Sequence, residues 1–191
     1  MDGVMSNLPL RERVARERRR LKSVRHALSV ALEKGARGDA AYLPFYVAEG
    51  DYIEAAMHRL HIQDVRMGEM IRSRLGTPLD ASAEQALSDL DTRLGDNQRH
   101  LHQLIAARDA LRAEGAAALD RFEKVSRAYT AYITANMGHH GAITELAQKL
   151  FSMDDWAYMA GVTEAETQRE QQLYDRVFAT LPAGVTAPVE A

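Results

Sequence analysis

Apolar residues recur at three- and four-residue steps along most of the chain, and breakers interrupt them at intervals. Leu10, Val14, Leu21, Val24 and Leu28 form one stripe, which predicts a helix over residues 9–34. Ile53, Met57, Leu60, Met67 and Ile71 predict a second over 45–75. Leu87, Leu90, Leu94, Leu101, Ile105 and Leu111 predict a third over 83–114, opened by a Ser82/Gln85 capping box. Phe122, Val125, Tyr129, Ile133, Ile143 and Leu150 predict a fourth over 118–150. A shorter helix starts at a Thr163/Glu166 capping box and presents Leu173, Val177 and Phe178. Gly35, Gly38 and Pro44, then Gly76 with Pro78, then Gly115 and Gly161, mark the turns between them, and Pro182, Gly184 and Pro188 mark a loose end.

Each long helix spans roughly 25–32 residues, or about 40–48 Å at 1.5 Å per residue. Short links force neighbouring helices to run antiparallel. The expected fold is all-α: an antiparallel up-down-up-down four-helix bundle with an additional C-terminal helix over an end or a side. A single helical-bundle domain is expected over residues 1–181, with a flexible tail over 182–191.

Composition agrees with a helical chain. Of 191 residues, 46% are apolar but only 6% aromatic, which suits helices better than sheets. There is no cysteine, so thiolate zinc sites, iron–sulfur clusters and cysteine nucleophiles are excluded. A net charge of −3 gives no global drive toward nucleic acid or an anionic membrane. No apolar run reaches the roughly 18 residues of a membrane span. The opening Met1-Asp2-Gly3 does not begin a signal peptide, so no membrane partner and a cytoplasmic location are expected. Residues 11–22 hold seven basic side chains and two acidic ones. Without interleaved aromatics they read as a solvated helix face with Glu–Arg pairing rather than a nucleic-acid surface. No glycine-rich phosphate loop, Gly-x-Ser-x-Gly elbow or His-Glu-x-x-His motif is present, so kinase, serine hydrolase and zincin chemistry have no support. Met57, Met67, Met70, Met137 and Met153 read as fillers of core gaps.

Chemistry enters where the stripes turn polar. Continued along its helix, the first stripe meets Glu17 and the second meets Asp64. The third meets Asn97 or Gln98 with His100 beside it, and the fourth meets Asn136 and His140. Burying such groups unpaired costs several kcal/mol, on the order of 2–7 each, so they must be satisfied by one another, by water or by a metal. Counted from the loops at 1.5 Å per residue, His61, Asp64, His140 and Glu17 share one level within roughly a turn. His100 lies one to two turns lower, and His26 about 14 Å lower.

All seven histidines fall on predicted helices. His61 and Asp64 share a face, as do Glu54 and His58. His102 and His139 read as surface residues. A helical interior lined by histidine and carboxylate is the geometry that holds di-iron or di-manganese centres.

The chain resembles the hemerythrin-like family of non-haem metal-binding four-helix bundles. The resemblance rests on His26, on the 51–64 stretch DYIEAAMHRLHIQD, on the 136–140 segment NMGHH, and on the 150–156 stretch LFSMDDW, within about residues 20–160. Members of that family carry two His-x-x-x-Glu pairs. This sequence has neither, and offers His58 or His61 with Asp64, and Asn136 with His140. The resemblance implies an iron centre, di-iron or else manganese, that binds or senses dioxygen or nitric oxide or performs oxygen-linked redox chemistry. Its ligands would come from His26, His58, His61, Asp64, His100 and His140, with Asp64 as the bridge. Tyr52, Tyr129 and Tyr132 would shape the pocket. The competing expectation is a metal-free helical interaction or regulatory protein whose buried polar residues form a network that sets helix register. A homodimer is compatible with either.

Overall fold

In the computed structural model, which describes residues 10–136 and 141–186, the periodic segments form helices. These are α1 (Leu10–Lys34), α2 (Leu43–Leu75), α3 (Ala81–Glu114), α4 (Leu119–Asn136), α5 (Gly141–Leu150), α6 (Met153–Met159) and α7 (Glu164–Ala179), with short 3₁₀ turns at Ala40–Tyr42 and Gly115–Ala118. No strand occurs among the described residues, and no helix among them is long and apolar enough to cross a membrane. The fourth predicted helix is accounted for by α4 and α5, on either side of residues 137–140.

Local chemistry explains the ends. Gly35, Gly76 and Gly115 follow α1, α2 and α3 at φ 69°, 67° and 63°, a region that costs glycine nothing. The first turn of α3 is capped by Asp80, which accepts from the Ala83 amide at 2.8 Å, and not by the predicted Ser82/Gln85 pair. An aspartate two residues earlier starts the helix sooner and leaves Ser82 inside its first turn. The Thr163/Glu166 capping box opens α7 as predicted. A second box, Ser152/Asp155, opens α6, a helix the periodicity did not separate.

Cross-helix contacts set the directions. Arg108 meets Asp51 while Arg72 meets Asp91, so α2 and α3 run antiparallel. Glu123 receives the Ala36 amide and Arg127 donates to the Leu32 carbonyl, which sets α4 antiparallel to the end of α1. α7 lies along α2 and α1. As a result the stretch of α2 from Phe45 to Met57 is buried on nearly every side. Gly50 is required there: an added Cβ would lie 2.8 Å from Cδ of Arg108 on α3.

Two apolar clusters form. The larger joins Leu28, Ile53, Leu104, Phe122 and Val177 from α1, α2, α3, α4 and α7, and Val185 folds back into it. The smaller joins Met67, Ile71, Leu87, Leu90 and Ile143, with Trp156 and Met159 packed against it. Between them, residues 58–66 of α2 and 91–100 of α3 add no fully buried apolar side chain to either cluster, so a largely polar waist separates the two.

Candidate functional site

The waist holds the polar residues the sequence placed inside. His61 and Asp64 are half-buried there on α2, and Asn97 and His100 on α3. The Gln98 amide nitrogen lies 2.9 Å from Nε2 of His61. Which of the two donates depends on the imidazole tautomer, and Nδ1 of His61 is buried without a hydrogen-bond partner among the described residues. Burial, with the neighbouring His58 as a second cause, holds the His61 pKa below its ordinary value and favours the neutral ring. His100 stacks on Tyr132 with ring centroids 4.0 Å apart, and the Tyr132 hydroxyl donates to Asn97 at 2.8 Å. The Asn136 amide donates to the carbonyl of Tyr132, one turn back.

The donors implied by the resemblance stand in different surroundings. His26 and His58 are exposed on α1 and α2, as is His102 on α3. Nε2 of His61 is taken by Gln98, and His100 lies flat on a tyrosine. His139 and His140 lie outside the described residues. Among the described residues, no group of three or more histidine, cysteine, aspartate or glutamate side chains is placed to hold a metal ion.

Glu17, the polar residue on the first stripe, belongs to a different arrangement. Arg59 of α2 donates from Nε to Glu170 at 2.8 Å and from Nη2 to the same carboxylate at 3.0 Å, while Nη1 donates to Glu17 at 3.0 Å. All three side chains are about nine-tenths buried, with 10–12% of their surface exposed. Burial works against the charged Arg59, yet the bonds and charge of Glu170, helped by Glu17, hold its pKa above the ordinary value. Burial raises the Glu17 pKa despite Arg59 and Arg13. This clamp ties α1, α2 and α7 together. The basic stretch of α1 contributes beside it: Arg13 donates to the Ala160 carbonyl, and Arg20 bonds Gln171 and lies over the Tyr174 ring. Part of that stretch is therefore joinery between helices and not only a solvated face.

Besides Glu170, two buried acids are not singled out by the sequence. Glu123 accepts from the Ala36 amide at 2.6 Å and from the Tyr46 hydroxyl at 2.7 Å, which secures the chain just after α1. Glu49 is 0% exposed inside the larger cluster, and neither of its oxygens has a hydrogen-bond partner among the described residues. Burial alone pushes its pKa well above the ordinary glutamate value, which favours the neutral acid in the fold.

On the outer side of α2, a cleft of about 440 Å³ opens toward α3 and α7. Arg108, Arg112, Arg169 and Arg176 line it together with Asp51 and Glu54. The α3 arginines are committed: Arg108 bonds Asp51, Glu54 and Asp109, and Arg112 bonds Asp51 and Asp109. Arg169 and Arg176 are exposed on α7, and among the described residues neither guanidinium has a hydrogen bond or ion pair. Set beside known proteins, the chain matches no family model, no curated protein and no solved structure.

Proposed function

We propose that this chain is a metal-free helical interaction or regulatory protein. In this reading α1–α4 form an antiparallel up-down-up-down bundle and α7 adds a fifth side. The interior polar residues set helix register, and the working surface is the face where α7 meets α2 and α3. The observation that carries the reading is the Glu17–Arg59–Glu170 clamp. It satisfies interior polar groups through one another, and joins three helices in one arrangement that a shift of one turn along any of them would break. The waist supports the same reading, because His61, Asn97, His100 and Tyr132 are engaged with neighbouring side chains.

Metal analysis of protein purified without chelator, before and after anaerobic iron loading, tests it. Trace metal and an unchanged melting temperature are expected. Near-stoichiometric iron or manganese that Asp64→Ala removes while helicity is retained would overturn the reading in favour of the metal centre that the hemerythrin-like resemblance implies.

A further inference from the structure

The cleft between α2, α3 and α7 divides its charges unevenly. Four guanidinium groups face two carboxylates, and the carboxylates are already engaged by the α3 arginines. Arg108 is 5% exposed and tied to three acids, so it forms a fixed floor. Arg169 and Arg176 are the uncommitted cations. They stand seven residues apart, which places them on one face of α7, about 10.5 Å apart along its axis. Two exposed guanidiniums over a floor whose charges are satisfied form a receptor for two anionic groups rather than one. Among the described residues no aromatic side chain lines the cleft, so none of them would stack a nucleobase. Glu54, which lines the same cleft with 44% of its side chain exposed, keeps acceptor capacity for hydroxyl donors. The volume falls in the range of small-molecule sites, roughly 300–1,000 Å³.

We propose that this cleft binds a small, non-aromatic, hydroxyl-compatible ligand bearing two phosphate groups about 10 Å apart, one held by Arg169 and the other by Arg176. The proposal names a ligand class for the binding surface in the reading above, yet the two fail separately. Bound iron would overturn the metal-free reading and leave the cleft untouched, and a failed anion titration would do the reverse.

The test is calorimetric titration of the full chain at low salt with 1,6-hexanediol bisphosphate, inorganic phosphate and a pentaglutamate peptide. Saturable 1:1 binding of the bisphosphate is expected, at least about tenfold tighter than phosphate because the second contact is intramolecular. Arg169→Gln and Arg176→Gln should each weaken it about 10- to 100-fold, and raising the salt should weaken it further. Both arginines are exposed and without partners among the described residues, so the far-ultraviolet circular dichroism of the variants should be unchanged. Absent binding, bisphosphate binding no tighter than phosphate, or binding indifferent to both substitutions would overturn the proposal. Tighter binding of pentaglutamate, lost in the same variants, would assign the cleft to an acidic protein segment and overturn it as well.

Discussion

Glu49 makes the stability of the fold depend on pH in a direction opposite to that of a salt-bridged acid. Its carboxyl group is fully buried among apolar side chains and has no bonding partner among the described residues, so the folded chain holds it protonated. In the unfolded chain the same group ionises in the ordinary glutamate range. Below that range both states carry the proton, and the group contributes no pH dependence. Above it, and up to the raised folded value, only the native state binds the proton. Unfolding free energy therefore falls as pH rises, with a slope approaching about 1.4 kcal/mol per pH unit. With a urea m-value of roughly 2 kcal/mol/M, that slope moves the unfolding midpoint by about 0.7 M per pH unit. Glu49→Gln keeps the shape and cannot ionise, so the difference between wild type and variant isolates this one group from the other carboxylates. Urea unfolding at intervals upward from the ordinary glutamate range should show the wild-type midpoint falling relative to the variant until the pH passes the raised folded value. Midpoints that stay parallel would mean that Glu49 is ionised in the fold and compensated, and the reasoning from burial would fail.

Other substitutions test the remaining joints. Arg59→Met leaves Glu17 and Glu170 buried without their cation and should cost about 3–5 kcal/mol by urea unfolding, whereas also replacing both acids with apolar residues should recover most of that. Gly50→Ala drives a Cβ into the Arg108 stem, which three carboxylates hold in place, so a loss of about 1–3 kcal/mol is expected. Tyr46→Phe removes the hydroxyl that donates to the buried Glu123 and should cost about 1.5–3 kcal/mol, with the helical circular dichroism retained.

Helix existence was legible because each stripe buries one face and each long helix ends at a glycine that can take positive φ, as Gly35, Gly76 and Gly115 do. The start of α3 was misplaced because Asp80 and Ser82 are both good caps and periodicity cannot rank them. α6 was missed because seven residues are too few to display a helical period. The stripe of α1 marks Glu17 as an interior group that needs a partner. Its partners were hidden, since Arg59 lies on a side of α2 that becomes interior only when α7 docks. Glu49 sits one turn before Ile53 on the same stripe and could have been found there. For the histidines, residue type and helix level are common to ligation, stacking and amide bonding. Only the neighbours separate these roles: Gln98 for His61, Tyr132 for His100.

The docking of α7 also has a consequence for synthesis. The chain leaves the ribosome from α1 toward α7, so α2 emerges long before the helix that covers its Tyr52 and Arg59 side. During that interval Arg59 has only Glu17 as a counter-charge, and Tyr52 lacks the Tyr174 ring that later lies 5.9 Å away. The nascent bundle thus displays a half-apolar strip to other chains until its closing segment arrives. The Thr163/Glu166 box shortens that exposure, because it lets α7 begin its first turn from local bonds before the rest of the protein is there to guide it.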